Sequence, residues 1–225
     1  MSHLCHVLAC QCYIDAAFLL DASTKSSDAW QNILNFVVSV VSNFNISPTC
    51  VRVVVILYAD RADASIPWNR YGDSNSLQQG IRSLTLMGGN SNLLTALQLL
   101  RQVFAPSAVR SGATLVAGIV TDRLTCNTQI TSEANYLKTS SRVNFVGVSV
   151  SSTRAVDVNC LNQVVSPNRH FEVPDYRLLS TYASQVSPYM CTVPAPNLAP
   201  WGEYSVRKQS NRFKKTKVLI LNTSL

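Results

Sequence analysis

The stretch Ala16-Ala17-Phe18-Leu19-Leu20-Asp21-Ala22-Ser23-Thr24-Lys25 decides the fold. Apolar residues from 16 to 20 without polar alternation predict a strand buried on both faces, as inside a parallel sheet. The strand stops at an acid. Asp21, Ser23 and Thr24 put a carboxylate and two hydroxyls at its carboxyl end, where open α/β sheets hold their ligands.

Outward from that strand, strands and helices alternate. Ser26, Ser27 and Asp28 offer N-caps to a helix whose apolar residues Ile33, Phe36, Val37, Val40, Val41 and Phe44 make one wide stripe. Val51 to Tyr58 is β-branched or aliphatic almost throughout and reads as a second central strand. Ala64 to Trp68, short and containing Pro67, suits an edge strand, and the tight turn over 59–63 before it would make that strand antiparallel. A short helix over 75–84 precedes the loop Met87-Gly88-Gly89-Asn90-Ser91-Asn92, and Leu93, Ala96, Leu97, Leu100 and Phe104 line the next helix. Thr114 to Val120 is again a buried strand, and Thr121-Asp122 delivers a second acid to the same rim. Beyond it follow a helix around Ile130, Ala134 and Leu137, a strand over 143–150, a helix over 156–165, a short strand over 170–173 and a helix capped by Asp175. Such alternation requires right-handed crossovers and parallel pairing. The expected fold is α/β: a doubly wound, mostly parallel, Rossmann-like sheet with one antiparallel edge strand and helices on both faces.

The formal net charge of +7 is unevenly placed. Arg207, Lys208, Arg212, Lys214, Lys215 and Lys217, opposed only by Glu203, give the end of the chain +5 and leave +2 for the rest. A nearly neutral body excludes a general polyanion-binding face, and with it nucleic acid. The expected division is an N-terminal segment 1–14, a domain over 15–191, and a proline-rich linker with a basic, unstructured tail over 192–225. Seven cysteines suit an exported domain with a few disulfides. No apolar run reaches the ~20 residues that span a bilayer, and Met1 to Tyr13 lacks the pattern of a signal peptide. Sequons at Asn45 and Asn222 accord with export. Cys5, Cys10 and Cys12 beside His3 and His6 lack the second cluster that a zinc site needs.

Asp21 and Asp122 become neighbours if their strands are adjacent, and the Gly88-Gly89 loop then presents Ser91 to both. Carboxylates and hydroxyls around one crevice are the hard oxygen donors that Mg²⁺ prefers. The plainer expectation is that both acids only cap loops. Over 15–191 these loops resemble a von Willebrand factor type A domain, and are similar to those of the collagen VI alpha chains. That family carries a metal-ion-dependent adhesion site on an Asp-x-Ser-x-Ser loop, a Gly-Gly-x-Thr stretch and a third-loop aspartate. Asp21, Ser23 and Asp122 match it, and Ser91 replaces the threonine. Lys25 stands where the second serine belongs, and Arg123 where glycine is common.

An ammonium cannot coordinate a cation and repels one nearby. The resemblance therefore implies a degenerate metal site of Asp21, Ser23, Ser91 and Asp122, with Lys25 as the cation that replaces the ion. No cofactor is expected beyond weakly held Mg²⁺. It further implies a secreted, non-enzymatic matrix or cell-adhesion module that binds matrix proteins or collagen chains, within a collagen VI-like assembly. Cys12 and Cys191 bracket the domain and resemble the pair that joins the ends of some type A domains. Cys126 with Cys160 is one further pairing among several. The rival expectation is a haloacid-dehalogenase-like phosphatase using Asp21 as nucleophile. That chemistry calls for a second aspartate where Ser23 stands. No motif sets a nucleophile beside His3, His6 or His170, and no Gly-x-Gly-x-x-Gly follows a strand.

Overall fold

The computed structural model describes residues 10–191 except 11, 25 and 154. Lys25, most of the N-terminal segment and the whole 192–225 tail therefore lie outside the described residues. The six-stranded sheet takes the order β3 (Ala62–Ile66), β2 (Val51–Tyr58), β1 (Ile14–Asp21), β4 (Thr114–Thr121), β6 (Asn144–Val150) and β8 (His170–Val173). All neighbours are parallel except β2 and β3, which pair antiparallel with a register irregularity between Val55 and Leu57. The edge strand is thus antiparallel, as the tight turn before it predicts, but starts at Ala62 and ends before Pro67. A separate parallel pair joins β5 (Arg123–Leu124) to β7 (Ala155–Val156).

Central β1 explains its own composition. Ala16, Phe18 and Leu20 enter one core with α1 (Ser27–Val41), α2 (Ser74–Arg82) and α6 (Ala183–Cys191). Ala17 and Leu19 enter the other with α3 (Leu93–Val103), α4 (Thr128–Thr139) and α5 (Val158–Val164). A strand covered on both faces has no position at which a polar side chain meets water, hence the unbroken apolar run. Helix starts are set locally. Ser26 Oγ accepts from Ala29 N–H for α1, and Asp73, Asn127 and Asp157 cap α2, α4 and α5 in the same way. Residues 155–156 pair as β7, so α5 starts later than the sequence suggests. The segment after Asp175 winds first as a 3₁₀ turn over Tyr176–Tyr182. At Gly147 a Cβ would lie 2.6 Å from Val165 Cγ1, so α5 sits directly on the backbone of β6.

Two features fasten the amino end of β1. Asp15 is fully buried and accepts from Arg52 Nε (2.9 Å), Arg110 Nε (2.8 Å) and Arg110 backbone N–H (2.8 Å). Burial pushes this carboxyl up, but hydrogen bonds from Arg52 and the Arg110 backbone, with both guanidinium charges, outweigh it and hold it below the ordinary aspartate value. Disulfides join Cys10 to Cys50 and Cys12 to Cys191 there, with Cα separations of 5.4 and 5.5 Å, and a third joins Cys126, before α4, to Cys160 in α5 at 5.4 Å. The Cys10–Cys50 bridge has no signature in the sequence spacing.

A second polar cluster sits at the far edge of the sheet. Ser149 Oγ lies 2.7 Å from His170 Nε2, and His170 Nδ1 lies 3.0 Å from Asn162 Oδ1. No motif put a serine beside His170; the β6–β8 pairing does. The amide oxygen accepts, so Nδ1 carries the proton and Nε2 accepts from Ser149. Ser149 is only 1% exposed inside β6, which makes this a strand-to-helix tie and leaves no path for a substrate to its oxygen. Burial pushes the His170 pKa below its ordinary value, against the opposing charge of Glu172. The unfolded chain then binds more protons than the native one between the native pKa and about 6.5. Stability from this tie is full above pH about 6.5 and declines as pH falls toward the native pKa. Urea midpoints at pH 5 and 7.5 should differ in that sense, and His170→Gln should flatten the difference. An unchanged slope would remove His170 as its source.

Candidate functional site

The strand order reverses at β1 and β4, which opens a crevice beyond their carboxyl ends. Asp21 ends β1 and is wholly buried. Its Oδ1 accepts from Ser23 N–H (3.1 Å) and Ser23 Oγ (2.6 Å), a turn that aspartate makes readily after a strand. Its Oδ2 faces Ser91 Oγ at 2.6 Å and Thr121 Oγ1 at 3.0 Å. Each hydroxyl has one proton and also faces the Arg123 carbonyl oxygen, at 3.2 Å from Ser91 and 2.6 Å from Thr121. The shorter contacts assign the Ser91 proton to Asp21 and the Thr121 proton to Arg123 O. Burial raises the Asp21 pKa, hydrogen bonds from Ser23 and Ser91 counter it, and the charge of Asp122 adds to the rise.

Ser91 reaches Asp21 because its loop is pinned at two points. Met87 and Gly88 N–H both donate to Ala22 O at 3.1 Å. Gly89, at φ +89°, passes so close to Asp60 that a Cβ would lie 2.1 Å from Oδ2, and Asn90 Nδ2 donates to Asp60 Oδ1 at 3.0 Å. Only glycine accommodates both the backbone angle and that approach.

Asp122 follows β4 directly. Its Oδ2 accepts from the Tyr176 hydroxyl and lies 3.6 Å from Arg123 Nε. Burial, followed by the hydrogen bond to Asp122, pushes the Tyr176 hydroxyl far above its ordinary pKa. At the end of β2, the fully buried Tyr58 hydroxyl has no hydrogen-bond partner among the described residues. Burial and the nearby Asp21 charge raise its pKa as well.

The structure therefore brings Asp21, Ser23 and Ser91 into one hydrogen-bonded group, with Asp122 on the adjoining loop. Lys25 lies outside the described residues; the cation described beside Asp122 is Arg123. Thr121, Tyr58 and Tyr176 belong to the site without having been singled out. Thr121 adjoins the acid that was, whereas Tyr176 carries no local signal.

The donor types fit a hard divalent cation, because Ser23 and Ser91 keep lone pairs after donating to Asp21. Protein ligands would have to be hydroxyls as much as carboxylates, since no cluster of three His, Cys, Asp or Glu exists among the described residues. The Arg123 charge opposes a cation on the Asp122 side. Between Asp122, Arg123 and the first turn of α1 opens a cleft of about 480 Å³.

Comparison with known proteins gives a consistent answer. The human collagen alpha-1(XXI) chain is 24% identical over 180 residues, 79% of this chain and 18% of that one. The human collagen alpha-6(VI) chain is 36% identical over 85 residues, 37% of this chain and 4% of that one. The chain thus spans less than a fifth of the length of these relatives. The structure of proximal thread matrix protein 1 from the mussel byssus, with its MIDAS motif occupied by zinc, superposes with a TM-score of 0.72. The two share 21% identity, over 80% of this chain and 46% of that one. The von Willebrand factor type A domain profile matches residues 15–185. With its mostly parallel sheet, its helices on both faces and this match over most of its length, the chain belongs to the von Willebrand factor type A domain family.

Proposed function

We propose that the domain is a non-enzymatic, extracellular matrix or cell-adhesion module. It binds matrix proteins or collagen chains through the rim at the carboxyl ends of β1 and β4, and its metal-ion-dependent adhesion site is degenerate. The observation that carries this reading is the meeting of three loops at one crevice, with Ser91 2.6 Å from Asp21 and a guanidinium 3.6 Å from Asp122. Three disulfides accord with an oxidising compartment, and no helix among the described residues is long and apolar enough to cross a membrane. The collagen relatives support a matrix setting. A phosphatase using Asp21 is not favoured, because that carboxylate is buried, accepts hydroxyl hydrogen bonds on both oxygens and an amide one on Oδ1, and has Ser23 where the second aspartate would stand.

With an arginine beside Asp122, Mg²⁺ is held weakly at most, so partner binding does not depend on it. Solid-phase binding to collagens should survive EDTA, and calorimetric titration with Mg²⁺ or Mn²⁺ should show no saturation below millimolar concentrations. Tight metal uptake together with EDTA-sensitive binding would reject the degenerate site. Turnover of a generic phosphate ester that disappears in Asp21→Asn would reject the non-enzymatic reading.

A further inference from the structure

We propose that Arg123 is the specificity-determining residue of the rim and that it takes a carboxylate, a single aspartate or glutamate side chain of the partner protein. This rests on the rim-binding reading above. The Arg123 side chain is 37% exposed and lines the cleft of about 480 Å³ together with Thr24, Ser26 and Tyr176. Its backbone is fixed: the N–H donates to Thr121 Oγ1 at 3.1 Å, and the carbonyl accepts from Thr121 Oγ1 at 2.6 Å. Its Nε stands 3.6 Å from Asp122 Oδ2, an ion pair too long to be a hydrogen bond. The guanidinium makes no side-chain hydrogen bond to any described residue, so its planar fork of donors is available to a planar, two-oxygen acceptor.

The other arginine on this cleft is already occupied, since Arg177 donates from Nε and Nη2 to its own neighbour Asp175 at 3.0 and 3.2 Å. Arg123 is therefore the cation with donors to spare among the described residues of the cleft. The acids there decide what kind of anion is accepted. Asp28, Asp122 and Asp175 line the same cleft and repel a dense run of negative charge. One carboxylate in an otherwise neutral or mixed segment satisfies the fork, whereas an acidic tract or a sulfated polysaccharide does not.

The test uses the full chain in EDTA. N-acetyl-aspartate amide is titrated while the Arg123 Nε–H and the Ser26 and Asn32 amide resonances are followed by NMR, with N-acetyl-asparagine amide as the isosteric control. Saturable shifts at Arg123 with the aspartate probe alone are expected. Arg123→Gln should abolish them while leaving the rest of the amide spectrum in place, and Arg123→Lys should weaken them at least threefold. Equal shifts with the asparagine probe, no shifts with either, or shifts that persist in Arg123→Gln would overturn the assignment. In parallel, solid-phase binding to collagens should fall at least tenfold in Arg123→Gln. Collagen binding unchanged by that substitution also overturns it. Saturable carboxylate binding by a chain that binds no collagen would support the arginine site and defeat the collagen partner, so the two failures are told apart.

Discussion

Replacing Asp15 by alanine is expected to destabilise the domain by about 3 kcal/mol, because it leaves two largely covered guanidinium groups without their shared counter-charge. The Arg52 and Arg110 side chains are 11% and 14% exposed, and Asp15 is completely covered. The two arginines would not suffer equally. Arg110 also donates to the Ile14, Cys50 and Pro48 carbonyls at 2.6, 2.8 and 2.9 Å, and keeps these bonds without Asp15. Arg52 keeps Ala108 O at 3.2 Å and its place 4.9 Å over the Trp68 ring. Most of the loss should therefore come from Arg52, and Asp15→Ala combined with Arg52→Met should recover part of it.

Acid adds an independent check. The native Asp15 pKa lies below the unfolded one, so its contribution is fully present above about pH 4 and is lost as pH falls through the native value. Urea unfolding from pH 2 to 7 should show a steeper acid limb in the parent than in Asp15→Asn. A change below 1 kcal/mol in Asp15→Ala would mean that the arginines are solvated in the native state.

Breaking the Cys12–Cys191 bridge with paired serines is expected to remove about 5 kcal/mol, through the added freedom of an unfolded chain no longer closed across 179 residues. Cys12 precedes β1, and Cys191 is the last residue of α6, so the bridge ties the start of the central strand to the end of the helix packed over it. The same treatment of Cys126–Cys160, separated by only 34 residues, should remove about 1.5 kcal/mol less, since the closure term grows with the logarithm of the loop. Denaturant midpoints of the two serine pairs test this order. If the shorter loop proves the more important one, native packing rather than chain closure governs both bridges.

The apolar run from Ala16 to Leu20 was enough to place β1 at the centre of a parallel sheet, because a strand covered on both faces leaves that mark whatever its neighbours are. The acids after β1 and β4 were legible at one rim for a related reason: parallel strands joined by crossovers all present their carboxyl ends to the same side. The paired glycines were likewise readable as a loop, though only the structure shows why each is glycine: both have positive φ, and Gly89 also passes close over Asp60.

What is joined across the chain was not legible in this way. Tyr176 meets Asp122 from 54 residues away, and Arg52 and Arg110 meet Asp15 from 37 and 95 residues away. Ser149 meets His170 only because β8 pairs with β6 in one register. Periodicity and composition report the surroundings of each residue along its own element, and so the sequence by itself determined the order of elements, the buried strands and the rim that gathers the acids. The tertiary structure decided which side chains face each other there, Tyr176 with Asp122 and Ser91 with Asp21, because side-chain pairing depends on register and loop path, which no local pattern encodes.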